Sequence, residues 1–183
     1  MPRVRGGPSV AHYALLGMLH LEPAHGYELA RRLRDDPGLC RIVSLNAPTL
    51  YALLHDLESG GLIAGTPQSD AYPPRTLFRP TPEGTEVFHQ WLEAPVERLR
   101  EVRNDFLLKL YFARSLKPDR GLALLDRQLA AVERYVERAS AERDACQPDT
   151  FERLVLDSKV TAAKSTLRWL DRYRSTLAEV ITP

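Results

Sequence analysis

The sequence predicts a mainly α-helical fold: three short helices and a small two-stranded wing, then a coiled-coil-like helical domain. Three observations predict it. Capped, apolar-striped helices follow one another through the first sixty or so residues. Two β-rich runs flank a polar, proline-bearing turn directly after them, in the stretch 62–80. Past residue 93 the chain reads as helix, and over 122–136 and 156–170 apolar residues recur at coiled-coil spacing.

Ser9 is a candidate N-cap, and Val10, Tyr13, Ala14, Gly17, Met18 and Leu21 fall at helical spacing before Pro23 closes the helix. Its near-complete apolarity makes it central. A second helix, Tyr27 to Asp35, turns Leu29, Ala30 and Leu33 inward and Arg31, Arg32 and Arg34 outward, and ends at the "DDPG" turn. The linker from Leu39 to Leu45 shows no clear period.

The third helix is "NAPTLYALLHDLESGG". Asn46 caps it, Pro48 is tolerated in its first turn, Leu50, Leu53, Leu54 and Leu57 form its buried stripe, and Gly60-Gly61 end it. Leu62 to Gln68 and Thr76 to Pro80 read as strands around the hairpin tip "SDAYPPR". Thr81-Pro82-Glu83 then starts a fourth helix running through Trp91.

The remainder reads as helix. Val96 to Leu116 is expected to be continuous, Pro118 opens the next helix, and a break near Gln147-Pro148-Asp149 separates the last two. Leu122, Leu125, Leu129, Val132 and Val136 form one seam, and Leu156, Val160, Ala163, Leu167 and Leu170 another. An intramolecular hairpin and a dimerisation arm share this pattern; the scarcity of other cover for the stripes favours the arm.

Helix, helix, helix, hairpin is the element order of a winged helix-turn-helix, whose last helix enters the DNA major groove. The third helix fits that task. Its positions 48, 51, 52 and 55 share one side, and that side and its approach carry Asn46, Pro48, Thr49, Tyr51 and His55, not lysine and glutamate. Such side chains hydrogen-bond base edges, pack on a thymine methyl or reach phosphate. The domain expectation is a DNA-binding unit over 1–92 and a helical dimerisation unit over 93–183.

Charge weighs on the other side. The chain carries a net charge of +1, and residues 1–90 hold 8 Lys and Arg against 9 Asp and Glu. A DNA-binding first half must therefore sort its charges by face. The alternative is a winged-helix module that binds protein without reading DNA sequence. Enzyme chemistry has least support, since GxxxxGK[ST], GxSxG, HExxH and paired CxxC motifs are absent. No catalytic residue and no cofactor is expected. His12, His20, His25, His55 and His89 include no i, i+4 pair on a helix, so no metal site is expected either. Asp35-Asp36 reads as a solvated turn, and the aromatics Trp91, Phe106, Tyr111, Phe112, Tyr135, Phe151, Trp169 and Tyr173 as core. Cys40 and Cys146 read as reduced thiols, and no run of about 18 apolar residues spans a membrane, so a cytoplasmic protein is expected.

Three stretches together resemble the PadR-like transcriptional regulators: "YALLGMLHLEPAHGYELARRL", "APTLYALLHDLESGGLI" and "PRTLFRPTPEG". "DFLLKLYFARSL" and "RWLDRY" are more loosely similar to the C-terminal helical domain of longer members. The resemblance implies a homodimeric repressor joined through its C-terminal helices, whose grip on double-stranded operator DNA falls when a small-molecule effector or another signal is sensed. It implies Thr49 and Tyr51 as recognition contacts with Pro48 at the helix start, Arg75 as the base of the wing, and Tyr27 in "GYEL" as a phosphate contact. Family wings often carry several basic residues and an apolar residue before the threonine. This chain has only Arg75 near the tip, and Pro80, so Arg3 and Arg5 in the N-terminal tail are expected to add charge as a flexible arm.

Overall fold

The computed structural model describes residues 7–68 and 75–181. Arg3, Arg5 and the hairpin tip apart from Arg75 therefore lie outside the described residues. Helix α1 (Val10–Leu21) starts where Ser9 accepts a hydrogen bond from the His12 amide. Seven of the eight residues from His12 to Leu19 are buried, all but Tyr13, and α1 is the central rod of the winged unit. Strand β1 (Ala24–His25) leads into α2 (Gly26–Asp35), and a single turn, α3 (Leu39–Ile42), lies in the linker that had no readable period.

Helix α4 (Ala47–Ser59) is followed by β2 (Ile63–Gln68) and β3 (Arg75–Pro80). The sheet is antiparallel with order β1-β3-β2, so the expected two-stranded wing gains a third strand: Ala24 pairs with Phe78 and His25 with Leu77. Two residues behind a proline carry no alternation, which is why β1 was invisible in sequence. Helix α5 (Pro82–Glu93) takes its cap from Thr81, whose hydroxyl accepts from the Gly84 amide at 3.0 Å.

The expected continuous helix over Val96 to Leu116 is corrected. A 3₁₀ turn at Leu99–Glu101 and a π-helical turn at Val102–Phe106 precede α6 (Leu107–Leu116). The wider turn lets Asp105 face the Trp91 indole and Lys109 reach the Ala94 carbonyl, at 3.0 and 2.8 Å. Buried Gln128 makes two bonds of 2.8 Å to the Val96 backbone, donating to its carbonyl and accepting from its amide. Satisfying both halves of a buried amide in this way pins the linker to the long helix.

Helices α7 (Pro118–Ala145) and α8 (Phe151–Ile181) pack as an antiparallel hairpin. Their two seams meet each other inside the chain: Leu125, Val132, Val160, Ala163 and Leu170 are buried. Phe106 and Phe112 are core as expected, but Phe151 is 78% exposed and Trp169 40%, against the reading of every C-terminal aromatic as core. The Asp35-Asp36 turn is likewise more than solvated. Asp36 accepts from the amides of Gly38 and Leu39 and from the Tyr111 hydroxyl at 2.7 Å, joining the winged unit to α6.

Candidate nucleic-acid interface

Helix α4 is oriented by its leucines. Leu50, Leu54 and Leu57 are buried against α1 and the sheet, which turns Pro48, Thr49, Tyr51, Ala52 and His55 outward. Asn46 is exposed at the helix start, and its side-chain oxygen accepts from the Thr49 amide at 2.9 Å. That oxygen is committed to the cap, leaving the amide nitrogen of Asn46 to face a ligand.

Tyr51 is 50% exposed, and the part of its ring that is covered lies over Gly26, at the start of α2. A β-carbon at Gly26 would stand 2.6 Å from that ring, so the absence of a side chain is what admits it. The next residue, Tyr27, is also on the surface, and its hydroxyl accepts from the Arg75 guanidinium at 3.0 Å. The guanidinium carbon stands 5.1 Å from the Tyr27 ring centre. The structure thus brings Tyr27 and Arg75 into direct contact and seats Tyr51 beside them through Gly26. Thr49 and Pro48 lie at the N-terminal end of the same helix; His55 is one turn beyond Tyr51 on its exposed side.

His25, Gly26 and Glu28 were not singled out in sequence. The His25 ring stacks on Tyr27 with centres 5.7 Å apart, and its Nδ1 lies 3.0 Å from the Thr76 carbonyl oxygen. Glu28 accepts from the His25 amide at 2.9 Å, and this bond is the main cause holding its carboxyl below the usual range. The i, i+3 spacing of a capping pair, His25 to Glu28, was the available signal.

Charges in the winged unit are sorted. Arg32 is paired with Glu22 at 2.7 Å and Arg34 with Asp35 at 2.9 Å, whereas among the described residues Arg31, Arg41 and Arg75 have no carboxylate partner. A near-neutral total therefore conceals unpaired guanidinium groups. Between the winged unit and α6 lies a cleft of about 420 Å³ lined by Met18, Leu21, Arg32, Asp36, Leu39 and Tyr111. Burial, and then the hydrogen bond to Asp36 and its charge, push the pKa of the Tyr111 hydroxyl up to about 12.

A winged helix-turn-helix with an appended helical unit defines a class of regulatory protein. Residues 15–90 match the Transcriptional regulator PadR-like family, and residues 102–178 match Virulence activator alpha C-term. Over residues 15–90 the chain belongs to the PadR-like family of transcriptional regulators, which are not enzymes. It is 25% identical over 173 residues to the negative transcriptional regulator PadR of Bacillus subtilis (strain 168), covering 88% of this chain and 94% of that protein. Two crystal structures of Bacillus subtilis PadR are similar to it at 22% identity over 93% of this chain and 99% of theirs. One is in complex with operator DNA, at a TM-score of 0.47, and the other with p-coumaric acid, at 0.42. Among the described residues no helix is long and apolar enough to cross a membrane.

Proposed function

We propose that this regulator is a sequence-specific DNA-binding repressor, acting in the cytoplasm as a homodimer on a near-palindromic operator and released by a small molecule. The observation that carries the reading is the exposed face of α4. Thr49, Tyr51 and His55 stand outward on a helix anchored by buried leucines, with the Tyr27–Arg75 pair beside them.

In this reading α4 lies in the major groove. Thr49, Tyr51, His55 and the free amide of Asn46 meet base edges, and Pro48 packs where the helix enters. Tyr27 and Arg75 hold phosphates on the flank, fixing register without reading sequence. Residues 1–92 form the DNA-binding unit and 93–183 the dimerisation unit. Because the α7 and α8 seams close on each other, the second protomer is assigned to the outer face of α8, where Phe151, Leu154 and Trp169 are exposed. The cleft beside Tyr111 is the candidate site for the released signal, since a ligand there would bear on both units at once. Repression, not activation, is the sense assigned, in line with the name of the Bacillus subtilis relative.

The test is selection from sheared genomic DNA with the full-length chain, followed by sequencing. The expected result is one enriched near-palindrome whose half-sites lie about one helical turn, or a small multiple, apart. Recovery of DNA with no enriched sequence would overturn the reading.

A further inference from the structure

We infer that His25 is a positioning residue of this interface, locking the wing to the start of α2 so that Arg75 is presented at a fixed place. The inference rests on the DNA-binding reading for its functional consequence, but its physical content is visible in the free chain.

Three contacts converge on His25. A carbonyl oxygen only accepts, so the Nδ1 that lies 3.0 Å from the Thr76 oxygen carries the proton and donates it. Thr76 follows Arg75 directly, and the bond therefore fixes the strand at the base of the wing. The face of the same imidazole lies parallel to Tyr27, with an interplanar angle of 9°, and the Tyr27 hydroxyl accepts from Arg75. The His25 amide is held in turn by Glu28 on the first turn of α2. One contact reaches β3 and two reach the first turn of α2, so His25 ties the two elements together.

The geometry matters because β1 is only two residues long. Backbone pairing of Ala24 and His25 with β3 is too short to set the wing by itself. The side-chain bond from His25 adds a third anchor on the same strand and couples it to the ring that carries Arg75. His25 thereby acts through Arg75, not on DNA.

Titrations with the full-length chain use the duplex recovered in the selection and a scrambled duplex of equal length. His25→Ala is expected to weaken both by about five- to tenfold and to flatten the salt dependence by roughly one unit, leaving their ratio intact. His25→Asn, whose amide nitrogen replaces Nδ1 as donor, is expected to recover much of the loss. In an Arg75→Ala background His25→Ala is expected to add nothing, because the two act as one unit. An unchanged salt slope, or equal losses in both backgrounds, would overturn the inference. Amide exchange in the free chain separates this inference from the DNA-binding reading. His25→Ala is expected to speed exchange of the 75–78 amides about tenfold, and His25→Asn much less. Unchanged exchange overturns the role of His25 whether or not DNA binds; faster exchange with no selectable DNA overturns only the DNA-binding reading.

Discussion

Gly26 and Gly84 mark two places in the winged unit where a methyl group has no room, and the neighbour decides the consequence. At Gly84 a β-carbon would stand 1.9 Å from the Leu62 carbonyl oxygen, a backbone atom already accepting from the Thr81 amide. Nothing there can swing aside, so Gly84→Ala is expected to lower unfolding stability by roughly 3 kcal/mol or more, measured by urea denaturation. At Gly26 the obstacle is the half-exposed ring of Tyr51, which can rotate away. Gly26→Ala is therefore expected to cost much less stability yet to blur the preference for operator over scrambled DNA, as Tyr51→Ala also should. Arg75→Ala should instead weaken both duplexes and reduce the salt slope by about one unit. A Gly84→Ala chain as stable as the parent, or a Gly26→Ala chain with full discrimination, would refute this division.

At the scale of elements, what was legible in the sequence was whatever repeats or caps. Ser9, Asn46 and Thr81 each announced a helix that begins where they stand, because a short polar acceptor beside an apolar period has few other uses. The outward Thr49, Tyr51 and His55 followed from the leucine stripe by geometry alone. Strand β1 and the π-turn at Val102–Phe106 were not legible: one is too short for alternation, and the other goes with bonds from Asp105 and Lys109 to the end of α5, which no local pattern announces. His25 was hidden for the same reason, since its partner Thr76 lies 51 residues away. The cap on α4 gives a separable prediction. Asn46→Ala should cost about 1 kcal/mol through the lost bond to the Thr49 amide. Asn46→Asp should restore stability, because a carboxylate accepts the same amide and suits the helix N-terminus. It should nevertheless weaken DNA binding by placing a negative charge against the groove, so thermal melting and DNA titration should rank the two variants in opposite orders.

Across the whole molecule, the joint between winged and helical units is built from aromatic and titratable groups. Tyr13 stacks on Trp91 at 4.4 Å, the Trp91 indole donates to Asp105, and Lys109 lies 5.2 Å from the Trp91 ring centre. Histidines nearby set an acid limit. Burial lowers the pKa of His12 below 6.5 despite the raising effect of Asp56, and burial, then His89 and Arg120, lower that of His20. The unfolded chain takes up protons at these sites before the folded one does, so stability present above about pH 6.5 is lost as the pH falls below it. Melting temperature should drop between about pH 7.5 and pH 5.5, and His12→Asn, which keeps an acceptor near the Ser9 amide, should shrink the drop. No drop, or a rise, would contradict it.

The proposed dimer is a property that only the whole molecule can show, and the hairpin makes a specific demand on it. Since α7 and α8 cover each other's seams, a second chain must use what remains. On the opposite side of α8, Phe151, Val155, Ser158, Ala162, Ser165 and Trp169 step by 4, 3, 4, 3 and 4, all exposed and all uncharged, with Leu154 beside them. A helix of 31 residues, roughly 45 Å long, seldom leaves such a face to water while placing its charges elsewhere. Changing Leu154 and Trp169 together to glutamate should give a solution mass of one chain at micromolar concentration. Helical content should persist, because the α7–α8 seam is untouched, although the change at Trp169 removes an edge contact with Phe106. DNA affinity should fall steeply, because one recognition helix alone forfeits the second half-site. A double variant that remained a dimer would place the partner on another surface and leave the exposed face of α8 without this role.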